Sequence, residues 1–148
     1  MRREPKWISK LVALAVHERL LAAHGGAPGL LDEGLLDAAL ANSQNRFAYE
    51  HPDVFRLAAA YAYAITQNHP FTDGNKRVAL TLAGVFLELN GFRLEASEQD
   101  AVQAMLALSS RGMDESEYAE WLRRSSSAIG GSRVGAIRVT RRSARKKK

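Results

Sequence analysis

From Val78 to Leu89 the chain reads Val-Ala-Leu-Thr-Leu-Ala-Gly-Val-Phe-Leu-Glu-Leu, broken only by Thr81, Gly84 and Glu88. Wound as a helix, this run presents apolar side chains on nearly every face, and such a helix has to be enclosed by other elements. It falls well short of the roughly 20 apolar residues of a membrane span. The enclosure must therefore come from the chain itself, and the Asn90-Gly91 stop that follows fits a helix end inside a globule. With 148 residues, 46% hydrophobic and 25% charged, the chain has the material for one ordinary domain with a real core.

The enclosing elements are legible as further helices. Ile8, Leu11, Val12, Ala15 and Ala22 recur at helical spacing from Ile8 to Ala23, and Gly25-Gly26 with Pro28 ends that helix. Leu35, Leu36, Ala39 and Leu40 form the apolar side of a short helix from Asp32 to Asn42, with Asp32 as its cap. Ser43 to Pro52 is rich in Asn, Gln, Tyr and His without a helical period, and reads as an exposed loop or short hairpin suited to docking. Asp53 opens a third helix, in which Val54, Leu57, Ala58, Tyr61, Ala62 and Ile65 keep the i, i+3, i+4 rule through Gln67. Ser97 with Asp100, and Asp114 with Glu117, are capping pairs that start helices running to about Ser109 and Ser125. Beyond Ser125 the Ser/Gly-rich stretch reads as a flexible linker, with one weak strand-like piece near Val134 to Thr140. The expectation is an all-α protein: a compact bundle of about six helices with a loop or hairpin flap, spanning 1–126, and a flexible basic tail over 127–148.

Charge is divided unevenly. Eight Lys or Arg and no acid lie between Arg133 and Lys148, which leaves 13 basic against 16 acidic residues in the rest. The body is thus about −3 and the tail +8, and the overall +5 describes the tail. Such a run is read either as a solvated appendage or as a nucleic-acid contact. Cysteine is absent, which removes disulfides, thiolate nucleophiles and Cys-based zinc sites. No signal-peptide core follows the basic N-terminus, so the expected location is the cytoplasm, without membrane contact.

One loop carries more chemistry than packing requires. His69-Pro70-Phe71-Thr72-Asp73-Gly74-Asn75-Lys76-Arg77 stands between two apolar helices. From Gly74 onward it enters the central helix, whose first-turn N–H groups lack intrahelical partners and whose dipole favours an anion. Gly74 permits close approach; Asn75 tolerates a left-handed backbone and can bond an oxygen. Two cations in a first turn oppose the dipole, so Lys76 and Arg77 imply a bound anion, for which one offers a mobile point charge and the other a planar fork. Asp73 is a hard ligand suited to magnesium among phosphate oxygens, and His69 is the group able to take a proton near neutral pH. Phe71 points the other way, as an anchor in the core. The reading is a transferase acting on a nucleotide's phosphates.

This nonapeptide resembles the active-site signature of the Fic/Doc family, His-x-Phe-x-(Asp/Glu)-Gly-Asn-Gly-Arg-x-x-Arg. Lys76 replaces a Gly and Leu80 replaces the last Arg, and both departures follow the pattern of Doc, or death-on-curing, toxins. The stretches Gly34 to Leu40 and Asn45 to Tyr49 extend the similarity, which covers about residues 7–125. The resemblance implies that His69 deprotonates a target hydroxyl, that Asp73 binds Mg2+, and that Gly74, Asn75, Lys76 and Arg77 hold the phosphates of ATP. It implies a toxin of a toxin–antitoxin system that moves the γ-phosphate of ATP to a threonine of elongation factor Tu, where typical Fic enzymes move AMP. The bulk and charge of Lys76, with the cation lost at Leu80, favour phosphoryl over adenylyl transfer. A Phd-like antitoxin is the implied partner, acting in trans because the chain lacks the inhibitory motif (Ser/Thr)-x-x-x-Glu-(Gly/Asn).

Other readings compete. A catalytically silent, antitoxin-binding module would keep the same fold. A metal-dependent phosphohydrolase would need more His and Asp ligands than this loop supplies. His17, His24 and His51 read as structural, as do Tyr61 on the buried face of its helix and Trp7 and Trp121 near the ends of the folded part.

Overall fold

The computed structural model describes residues 4–130. Six helices follow one another: α1 Lys10–His24, α2 Glu33–Glu50, α3 Val54–Asn68, α4 Asn75–Leu89, α5 Glu98–Ser109 and α6 Glu115–Arg124. The bundle is the all-α architecture that the sequence implies. Within it α3 is the most enveloped element, since Leu57 to Ala62 are buried without interruption and so cover every face of the helix. Alanines at 58, 59, 60 and 62 let α2, α4 and α6 come close to its axis. No residue of α4 from Val78 to Leu87 is exposed, as the apolar run requires, with Val78, Leu82, Phe86 and Leu87 buried. Trp7 closes one end of the bundle against Phe86 and Phe47. None of the helices among the described residues is long and apolar enough to cross a membrane.

Two expectations need correction. Ser43 to Glu50 is not a loop or hairpin: α2 continues through it and ends only where His51 turns left-handed at φ 52°. Gln44, Arg46, Ala48 and Glu50 are good helix formers, and the missing apolar period is replaced by polar tertiary partners. Ser43 is buried and donates its hydroxyl to the Leu57 carbonyl at 2.9 Å; Arg46 reaches α6 and grips Glu115 with both guanidinium nitrogens, at 2.6 and 2.9 Å. The second correction concerns the expected linker. Ser126–Ala128 forms β2, antiparallel to β1 at Phe92–Leu94, with Phe92 opposite Ala128 and Leu94 opposite Ser126. Three-residue strands leave no alternation to read, and their pairing depends on contact between segments over 30 positions apart. The weak strand near Val134 to Thr140 and most of the basic tail lie outside the described residues.

The caps behave as their residue types dictate. Ser97 accepts from the Asp100 N–H at the start of α5. Asp114 and Glu117 complete a reciprocal capping box on α6, each side chain taking the other's backbone N–H at 2.8 Å. Helix α4 is the exception: Gly74 occupies its cap position at φ 83° and no side chain caps it.

Candidate active site

The loop between α3 and α4 begins with a residue in an uncommon conformation. His69 is the C-cap of α3, left-handed at φ 51° with its N–H on the Ile65 carbonyl. Few non-glycine residues adopt this conformation, and it turns the chain sharply while leaving the imidazole exposed. Pro70 then cannot continue the helix. Its carbonyl accepts from the N–H groups of Leu31 and Asp32 at 2.8 and 3.0 Å, and the Thr72 N–H donates to the Gly29 carbonyl at 3.1 Å. The segment after α1 is thereby tied to the loop, with Leu30 and Phe71 paired as an antiparallel bridge.

Inside the loop, Phe71 is buried as expected and lies flat on the His17 ring, centroids 3.9 Å apart and planes 17° from parallel. Its backbone is clamped by Asn75. The Asn75 side chain accepts from the Phe71 N–H at 3.0 Å and donates to the Phe71 carbonyl at 2.9 Å. The same Nδ2 lies 3.4 Å from His69 Nδ1, a contact at the outer limit of hydrogen bonding that does not commit the imidazole to one tautomer. Asn75 therefore differs from its expected part. The left-handed positions are His69 and Gly74, while Asn75 is the first helical residue and its amide group faces inward. Its side-chain oxygen and one Nδ2 hydrogen are thus committed to Phe71, while the backbone N–H stands in the first turn of α4.

A cleft of about 450 Å³ opens beside this loop. His69, Asp73, Gly74, Lys76 and Arg77 line one side, and Leu80, Val102, Met105 and Leu106 form an aliphatic wall on the other. The expected site residues are thus brought together, with α5 adding a wall that the sequence did not announce. Lys76 and Arg77 are exposed and form no ion pair with any described acid. Two cations unpaired among the described residues, a helix N-terminus without a side-chain cap and an exposed imidazole face one space, where positive charge and helix dipole have the sign that suits an anion.

Asp73 is the single acid among the described residues of the cleft lining. One carboxylate oxygen takes the Gly74 N–H at 2.9 Å and the other the Ala27 N–H at 3.1 Å. Each oxygen keeps a further lone pair, so the group can still bind a cation. No cluster of three or more His, Asp or Glu able to hold a metal ion occurs among the described residues. A divalent ion here would have one carboxylate and complete its shell with phosphate oxygens and water, which is the habit of magnesium.

His17 is the residue whose importance to this loop sequence reasoning missed. It is buried, 6% exposed, and its Nε2 lies 2.9 Å from the Asp73 carbonyl. The available signal was its place one turn after Ala13 on the inner side of α1, where a polar group needs a partner.

Fold and cleft together define a class: an all-helical protein whose cleft is lined by the loop between two central helices and by the start of the second. The sequence profile of the Fic/DOC family matches residues 7–87, more than half of the chain, and the chain belongs to that family. It is similar to the protein kinase doc of Escherichia phage P1, with 39% identity over 88 residues, 59% of this chain and 70% of that one. It is also similar to the toxin Doc of Mycolicibacterium smegmatis, with 41% identity over 76 residues, 50% of this chain and 58% of the relative.

Proposed function

We propose that the protein is the toxin of a toxin–antitoxin pair and transfers the γ-phosphate of ATP to a hydroxyl of a target protein, a threonine of elongation factor Tu being the substrate the family pattern favours. The observation that carries the reading is the convergence, in one cleft, of an α4 N-terminus without a side-chain cap, two cations without acidic partners among the described residues and the exposed His69 imidazole. Support comes from two relatives, one named a protein kinase and the other a toxin. In this scheme His69 takes the hydroxyl proton as the target oxygen forms its bond to the γ-phosphorus. The bond from that phosphorus to the β,γ-bridging oxygen breaks, and ADP leaves with the electron pair. Lys76, Arg77 and the first-turn N–H groups of α4 neutralise the charge that spreads over the phosphoryl oxygens. Asp73 would hold Mg2+, which supplies charge neutralisation across the phosphates when bound. An antitoxin of the Phd type is the proposed partner, and the proposed setting is the cytoplasm.

Lys76 and Leu80 favour phosphoryl over adenylyl transfer for reasons of space and charge. A lysine where Fic enzymes carry glycine adds a side chain to the anion cradle, and Leu80 gives the aliphatic wall a residue where they carry a cation. Intact-mass spectrometry of elongation factor Tu after incubation with the protein, ATP and Mg2+ tests this. A gain of one phosphate, lost in His69→Ala with the fold retained, is the expected result. A gain of one AMP would replace the reading with Fic chemistry, and no gain with any nucleotide would leave an antitoxin-binding module.

A further inference from the structure

We propose that His17, on α1 and outside the sequence signature, is a positioning residue that sets the Asp73 carboxylate through the Asp73–Gly74 peptide; the proposal rests on the reading of the cleft given above. A carbonyl oxygen only accepts, so the His17 Nε2 that lies 2.9 Å from the Asp73 carbonyl carries a hydrogen. The peptide that follows is a rigid plane. At its opposite edge, the Gly74 N–H donates to Asp73 Oδ1 at 2.9 Å. Holding the carbonyl edge therefore fixes the N–H edge, and that edge fixes one oxygen of the carboxylate.

The other oxygen is held from the same quarter. Ala27, three residues past the end of α1, donates its N–H to Asp73 Oδ2 at 3.1 Å. Gly26 makes that approach possible: its φ is +121°, and a Cβ there would sit 2.9 Å from Oδ2. Both handles on Asp73 thus belong to α1 and the turn after it. Packing alone does not ask for a nitrogen in this place. His17 lies flat on Phe71 and is buried, a contact that any flat ring could make, whereas only a side chain bearing a hydrogen-bond donor can hold the carbonyl.

Two substitutions separate positioning from packing. His17→Phe keeps a flat ring on Phe71 without a donor; His17→Gln keeps an N–H at similar reach without a ring. The first readout is hydrogen exchange at the Gly74 amide, followed in a 15N-resolved spectrum. Wild type and His17→Gln are expected to protect it, with His17→Phe exchanging about tenfold faster. The second is ATP affinity measured with Mg2+ and with a chelator. His17→Phe is expected to lose about tenfold of the Mg2+-dependent affinity, with affinity in chelator unchanged, and His17→Gln to recover it. Equal Gly74 exchange in all three proteins, or His17→Phe outperforming His17→Gln in both readouts, overturns the proposal. A wild type that binds no ATP in either condition defeats the reading of the cleft instead, while Gly74 exchange still judges His17.

Discussion

Replacing Asn75 by Ala removes the clamp on which the loop's shape depends. The side chain is 8% exposed and makes both a donor and an acceptor bond to the backbone of Phe71, itself 1% exposed. The loop's other ties use Pro70 and Thr72, so the Phe71 N–H and carbonyl would both lose their partner. A net hydrogen bond contributes about 1 kcal/mol, and a buried group left unpaired costs about 1–3 kcal/mol. The two together give an expected loss of about 2–4 kcal/mol, softened where water enters the space. For a body of this size each kcal/mol moves Tm by about 3–5 °C, so a fall of roughly 10 °C is expected. Urea titration gives the free energy, with an unchanged slope marking a change in stability and not in compactness. Asn75→Asp sharpens the test, because an ionised carboxylate still accepts from the Phe71 N–H but repels the carbonyl. That variant should recover stability as acid protonates the new group and restores a donor. A cost below about 0.5 kcal/mol for Asn75→Ala, within the range of ordinary surface changes, would refute the clamp.

Lys76→Gly should lower phosphotransfer at a stability cost of no more than about 1 kcal/mol, the usual helix penalty of glycine, since Lys76 is exposed and has no ion-pair partner among the described residues. Unchanged turnover would remove the reason for preferring phosphate over AMP. Tyr118→Phe should stabilise by about 1 kcal/mol, because the Tyr118 hydroxyl is buried with no partner among the described residues; a loss in urea titration would mean that a bond exists there. Burial also pushes the Tyr118 phenol well above its ordinary value. Wild-type stability should therefore fall as pH rises past the ordinary tyrosine range, where the unfolded chain ionises first, and Tyr118→Phe should flatten that limb. On the acid side, Asp53 caps α3 and pairs with Arg123 at 2.6 Å. Burial opposes its ionisation, but the bonds from Arg123 and the Arg56 N–H outweigh this and hold its carboxyl below the usual range. That contribution is present above the ordinary carboxylate range and lost as pH falls through the lowered value, so Asp53→Asn should show a shallower acid limb in thermal denaturation.

Local chemistry by itself determined most of the helices and singled out the loop between α3 and α4. The all-round apolar run from Val78, the period of α3 and the caps at Ser97 and Asp114 are each written within a dozen residues, the range over which helix hydrogen bonds and caps operate. The loop stood out because its His, Asp, Gly-Asn and Lys-Arg lie within nine residues of one another, and the fold brings them to one cleft. What the tertiary structure decided involves partners far apart. Helix α2 runs on to Glu50 because Leu57 and Glu115 hold its polar residues; β1 and β2 exist only as a pair; Val102, Met105 and Leu106 reach the cleft because α5 packs beside α4. Asn75 turns inward and His17 supports the loop because the backbone groups of Phe71 and Asp73 need partners, and only the folded chain fixes where those groups lie. Periodicity shows which face of a helix is buried, but the hydrogen-bond partner a buried polar atom finds is a property of the packed whole.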